Sequence, residues 1–256
     1  MHRREFLAKS ACLAAGSFFC PDFFSKAFAF GEDTLFSSPS VALIIDDIGF
    51  SDTPARQFLE LEIPVTFSIL PHLDRSRDLA FEIHEKGHEI MLHQPMEPYD
   101  PHIDPGPGAL YSGFSAEEIV WIMEENIDSI PFAVGVNNHM GSKFTECGKE
   151  VNETLQVVNR VGLFFVDSLT TSHSTAYKAA KKLHIPAGRR DIFLDNIPDE
   201  KAIHLQLHNL IRCASRYGHA IGIGHPYPET AKAIRSFLGD FQKTDVTLAY
   251  VSQVTS

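Results

Sequence analysis

Two adjacent carboxylates, Asp46 and Asp47, end an unbroken apolar run, Val41-Ala-Leu-Ile-Ile45, and lead into Ile48-Gly49. Like charges side by side are costly unless a cation, a guanidinium or a shared proton offsets them. A helix cap accounts for one acid at the end of a strand, not for a pair fused to it. The same placement recurs along the chain. His93 follows the apolar Ile90-Met-Leu92, Asn138-His139 follow Phe132 to Val136, Asp167 follows Leu163 to Val166, and His225 follows His219 to Gly224. Neutral imidazole and carboxylate are ordinary ligands of zinc and related divalent ions. One Asp with two His leaves a position open for water, as hydrolytic metal sites require. Each residue also has a plain reading, the histidines as loop donors and Asp167 as a helix cap. Their recurrence at strand ends favours a site. Spacing alone supports a metal-dependent hydrolase or a metal-binding barrel.

The elements that must carry these residues alternate. The run at Val41 suits a parallel strand buried on both faces. Strands are expected at Val65–Leu70, His88–Leu92, Phe132–Val136, Leu163–Val166, within Pro186–Asp195, at His219–Gly224 and at Thr247–Val251. Amphipathic helices are expected between them, at Asp74–Lys86, after the capping box Ser115-Ala-Glu-Glu118, at Val151–Val161, Ser174–Leu183, Asp199–Tyr217 and Thr230–Leu238. This order gives an α/β fold with a parallel sheet, and seven or eight units favour a closed or nearly closed barrel. In such a barrel the polar strand ends meet on one rim. The Pro/Gly-rich segment Tyr99–Gly113 is long for a loop in a compact domain, a length associated with function.

The first 29 residues read as an export signal rather than as part of the fold. Arg3-Arg4 precede Phe6-Leu7, a short uncharged run from Ala11 to Phe19 follows, and Ala27-Phe28-Ala29 offers a cleavage site. The twin arginine makes this a Tat-type signal, with the periplasm as the expected destination and secretion as the alternative. The run is too short to span about 30 Å of hydrocarbon, so no stable membrane insertion is expected after cleavage. Residues 30–40 form a polar lead-in, and 41–256 the domain. The chain carries a formal charge of −11. Four basic and two acidic side chains leave with the signal, so the remainder carries −13. That balance argues against nucleic acid as a partner and does not oppose a neutral or amino-bearing glycan. Cys147 and Cys213 remain, and export would permit a disulfide between them.

The series Leu43-Ile-Ile-Asp-Asp-Ile-Gly49, Phe67-Ser-Ile-Leu-Pro-His72, Gly87-His-Glu-Ile-Met-Leu-His-Gln-Pro-Met-Glu-Pro98, Gly135-Val-Asn-Asn-His-Met-Gly-Ser142, Phe165-Val-Asp-Ser168 and Gly222-Ile-Gly-His-Pro226 resembles the divergent polysaccharide deacetylases, relatives of the NodB-type carbohydrate esterases. The resemblance covers nearly all of residues 41–254. It implies a distorted (β/α)7–8 barrel and removal of acetyl groups from an N-acetylated polysaccharide or peptidoglycan with a divalent metal, zinc foremost. Carried over residue by residue, Asp46 is the catalytic base, Asp47 and His93 are metal ligands, and His225 is the general acid. The relatives place a second His ligand four residues after the first, where this chain has Glu97. Their third motif, Arg-x-Pro-Tyr, is replaced here by Asn-Asn-His-Met-Gly. The missing ligand is therefore expected at His139, with Glu97 as the alternative. Asn138, Asp167 and Arg189 are candidates for substrate binding, and Arg189 or Arg190 for keeping Asp46 ionised. Two other functions compete: a metallohydrolase with another ester or amide substrate, and a glycan- or protein-binding module that keeps the rim without turnover.

Overall fold

The computed structural model describes residues 38–255. The export-signal segment 1–29 and most of the lead-in lie outside the described residues. Nine strands and seven α-helices follow in order: β1 (Ser40–Ile48), α1 (Asp52–Leu59), β2 (Thr66–Ile69), α2 (Ser76–Glu85), β3 (Glu89–Met96), α3 (Ala116–Ser129), β4 (Ala133–Met140), α4 (Gly148–Arg160), β5 (Phe164–Asp167), α5 (Ala176–Lys182), β6 (Ala187–Arg189), β7 (Ile192–Phe193), α6 (Glu200–Tyr217), β8 (His219–Gly224), α7 (Pro228–Phe241) and β9 (Thr247–Ala249). Every strand pairing is parallel, in the order β6-β5-β4-β3-β2-β1-β8-β7. The sheet curls into a distorted barrel that stays open between β6 and β7. Only Arg190-Asp191 joins those two strands, too short a link for the helix that parallel neighbours require between them.

Side-chain alternation along the strands builds two cores. Val41, Leu43 and Ile45 of β1, with Ile90 and Leu92 of β3, pack outward against helix residues such as Leu79, Ile83, Leu155, Leu207 and Phe237. Ala42, Ile44, Met91, Phe164, Val166, Ile221 and Ile223 point the other way and fill the barrel's interior. Val251 and Val254, on the 3₁₀ turn after β9, complete that inner cluster at the end where the strands begin. The Val251 N–H donates to Thr66 Oγ1 and the Ser252 N–H to Glu89 Oε1, which ties this plug to the first residues of β2 and β3. β9 lies along Ser40–Ala42, on the edge of β1 that β2 covers only from Ile44 onward.

One expectation changes, and one open possibility is resolved. β1, β3 and β4 continue through the polar residues that the sequence places after them, because barrel neighbours keep pairing there: His93 with Asn137, Pro95 with His139. Cys147 and Cys213 are both free thiols, so the disulfide that export would permit is not formed. No helix among the described residues is long and apolar enough to cross a membrane.

Candidate active site

Following the inward-facing positions toward the carboxyl ends of the strands, the apolar interior gives way to a polar layer. Ala42 and Ile44 lead to Asp46, Met91 to His93, and Ile221 and Ile223 to His225; Ser68, Asn137 and His139 share the layer. Strict alternation would send Asp47 outward. Its backbone instead adopts φ 58°, and the β1–β2 register slips between Ile45 and Ile48, so both carboxylates serve one side of the sheet. Left-handed geometry at a non-glycine residue is costly, and Asp is among the residues that tolerate it best.

Asp47, His93 and His139 offer three ligand atoms within 4.8 Å of one another. Asp47 Oδ1 is 2.9 Å from His139 Nδ1 and 3.2 Å from His93 Nε2, and those two nitrogens are 3.2 Å apart. His93 is buried and uses Nδ1–H to donate to Asn137 Oδ1 at 2.7 Å, which leaves Nε2 facing the cluster. Asp47 Oδ1 is itself buried without a hydrogen-bond partner, so neither imidazole N–H is aligned on it. Two ring nitrogens within hydrogen-bond reach of each other, crowded against a buried carboxylate oxygen that has no hydrogen-bond partner, suit a cation among them. An Asp/His/His set fits a divalent metal and leaves coordination positions open.

Asp46 sits beside this cluster, 3 % exposed, with Oδ2 3.6 Å from His93 Nε2 and Oδ1 accepting from Asn137 Nδ2 at 2.9 Å. Burial raises its pKa above the ordinary aspartate value, although His93 and the Asn137 hydrogen bond work against that rise. His225 donates through Nδ1–H to Asp195 Oδ1 at 2.8 Å, and its backbone N–H reaches Asp195 Oδ2 at 2.6 Å. Thr230 Oγ1 donates to the same Oδ2 at 2.7 Å. Burial opposes the charged imidazole, but the hydrogen bond and charge of Asp195, with Asp46 and Asp47 beyond, raise its pKa to about 9. His225 is therefore protonated at neutral pH, with Nε2–H free to give a proton.

The remaining sequence candidates lie elsewhere. Glu97 is not with the cluster: Oε1 takes Lys143 Nζ at 2.7 Å, while Oε2 takes the Ser112 N–H at 2.9 Å and the Ser112 hydroxyl. The Lys143 and Ser112 bonds outweigh its desolvation and lower its pKa. Asn138 faces outward, with Oδ1 on the Ser168 N–H and Nδ2 on Met140 O, both at 2.8 Å. Asp167 is fully buried and accepts from Leu169 N, Ser174 Oγ and Tyr177 N. Both residues organise the loop after β5, and neither presents a free polar atom to a substrate. Arg189 points outward over the Tyr177 ring at 5.7 Å. The arginine on the site's side is Arg190, held by Ser168 O at 2.7 Å and Leu169 O at 2.8 Å and set 3.7 Å from the Phe193 ring centroid. Burial lowers its pKa, opposed by Asp167, Asp191 and Asp46.

Sequence reading missed Asn137, Asp195 and Ser68. Asn137 carried a signal, standing two residues before His139 and so on the same strand face. Asp195 carried none, because only the β7–β8 pairing brings it to His225.

The chain is 32 % identical over 230 residues to the uncharacterized protein YibQ of Escherichia coli (strain K12), covering 88 % of this chain and 72 % of that one. An uncharacterized protein of Agrobacterium tumefaciens C58 superposes with a TM-score of 0.81 at 26 % identity, over 85 % of this chain and 89 % of the other. The catalytic domain of a peptidoglycan N-acetylglucosamine deacetylase from Eubacterium rectale shares the fold, with a TM-score of 0.52 at 12 % identity over 86 % and 92 %. Residues 43–255 match the divergent polysaccharide deacetylases along almost the whole described chain, and the chain belongs to that family.

Proposed function

We propose that the protein is an exported, metal-dependent hydrolase that removes acetyl groups from an N-acetylated cell-envelope polysaccharide, with peptidoglycan as a candidate substrate. One observation carries the reading. A three-ligand cluster with open positions shares one rim with a buried carboxylate beside it and with an imidazole held by Asp195, the two kinds of proton-transfer group that amide hydrolysis needs. A divalent ion held by Asp47, His93 and His139, zinc foremost, would polarise the acetyl carbonyl and acidify water. Asp46 takes the water's proton through Oδ2, since Oδ1 is occupied by Asn137. Its raised pKa makes it a better base than an exposed aspartate. His225 Nε2 protonates the departing amine, and Asp195 holds the ring in the tautomer that allows this. Export is supported by Arg3-Arg4 and the apolar run after them.

The test combines metal analysis with acetate release from N-acetylglucosamine oligomers and peptidoglycan fragments. Asp47→Ala, His93→Ala and His139→Ala are each expected to lose bound metal. Asp46→Asn and His225→Ala should keep it and lose hydrolysis by roughly 10²–10⁴-fold. A metal-filled wild type that binds acetylated glycans and releases no acetate would overturn hydrolysis in favour of binding alone.

A further inference from the structure

Asn137 itself transfers no proton, yet it touches more of the site than either residue that does. It is buried at the carboxyl end of β4, and its amide oxygen accepts from His93 Nδ1 at 2.7 Å and from the Ser68 hydroxyl. Its amide nitrogen donates to Asp46 Oδ1 at 2.9 Å and reaches Ser168 Oγ at 3.4 Å. The orientation of this amide is determined by chemistry. A flipped amide would set its oxygen against the Asp46 carboxylate, which only accepts, whereas the Ser68 hydroxyl and the His93 imidazole can each adapt to either orientation.

From this geometry we infer that Asn137 is a positioning residue that binds two halves of the site together through one rigid group. Its oxygen places the His93 proton on Nδ1, which keeps Nε2 available as a ligand. Its nitrogen engages Asp46 Oδ1, which leaves Oδ2 as the proton-accepting atom. In this chain a neutral amide does both tasks, at the strand end where the relatives' Arg-x-Pro-Tyr motif is absent. The inference rests on the proposed hydrolysis for its catalytic half and on the proposed metal site, independent of turnover, for its ligand half.

Asn137→Asp and Asn137→Ala separate the two tasks. A carboxylate at 137 still accepts from His93 Nδ1–H but repels Asp46 and gives it no donor. Asn137→Asp should therefore hold zinc affinity within about threefold while kcat falls by about 100-fold. Asn137→Ala should weaken zinc binding by about 10–100-fold and lower kcat as well. Zinc affinity is measured by competition with a chromophoric chelator. The His93 Nδ1 proton, followed by ¹⁵N-edited NMR of the zinc-loaded protein, should be visible in wild type and Asn137→Asp and exchange-broadened in Asn137→Ala. If Asn137→Ala does not fold, Ser68→Ala carries the test, because it removes one of the two donors to the amide oxygen. It should broaden the same proton and weaken zinc binding. Unchanged zinc affinity and an unchanged His93 proton in the alanine variants would overturn the proposal. Equal loss of zinc in Asn137→Asp and Asn137→Ala would overturn it too. Wild type without acetate release would instead count against the hydrolase reading, since the zinc and NMR results do not depend on turnover.

Discussion

His225 and Asp195 show how one pair can serve stability and chemistry together. The imidazole gains its proton from the Asp195 hydrogen bond against the cost of burial, and its pKa rises to about 9 from an ordinary 6.5. A base whose pKa is raised on folding stabilises the folded state. That contribution is fully present below about pH 6.5, and it is lost as pH rises through about 9. Its size is about 3 kcal/mol by the usual conversion of pKa shift to free energy. Urea unfolding of chelator-treated protein should show stability falling by that order between about pH 6 and about pH 10, and Asp195→Asn should flatten the fall. A slope unchanged in Asp195→Asn would show that the pair does not hold the proton. What was legible at this scale follows from alternation. Asp46, His93, His139 and His225 stand where inward-facing positions emerge from apolar runs, so their types and places were readable together. Arg189 and Arg190 differ by one residue, hence by one face of β6, and sequence does not say where a three-residue strand begins its alternation. Asn138 and Asp167 stand next to inward-facing His139 and Val166, so alternation turns both to the other face.

At the scale of elements, β1 and the loop after β3 do the positioning. β1 spends a left-handed residue and a register slip to turn Asp47 toward the site. Neither was visible in sequence, because the slip exists only relative to β2. The loop after β3 is tied down at both ends. Glu97 links Ser112 to Lys143 across it. Farther along, Asn126 of α3 binds Gln94 Oε1, Gly108 O and His72 Nε2. Gly108 adopts φ 73°, and a Cβ there would come 2.2 Å from Asn126 Oδ1. Glu97 is thus a strut. Glu97→Ala should leave zinc affinity unchanged while limited proteolysis between residues 98 and 113 accelerates at least several-fold. Gly108→Ala should accelerate the same cleavage and cost about 2 kcal/mol of stability, from strain and a displaced hydrogen-bond network. Loss of zinc in Glu97→Ala would return Glu97 to the ligand set.

Across the whole described chain, the alternation of strands and helices was readable because apolar period and length change from element to element. The expected barrel implied that its last strand closes on β1, as β8 does. The gap between β6 and β7 was not readable, because β7 is two residues long and carries no periodicity. Nor did sequence foretell the barrel's lower closure, which depends on Val251 and Val254 folding back under β2 and β3.

That closure has a kinetic consequence. With one end of the barrel stoppered, whatever enters the polar layer leaves by the mouth through which it came. If the protein removes acetyl groups as proposed, a polymer lying across the mouth traps the small acyl product beneath it, so the deacetylated glycan departs first and acetate last. Ordered release of this kind has a signature in product inhibition. Acetate should inhibit competitively against the glycan, and the deacetylated glycan should inhibit noncompetitively. The reverse pattern would mean that acetate has an exit of its own, for which the open seam between β6 and β7 would be the place to look.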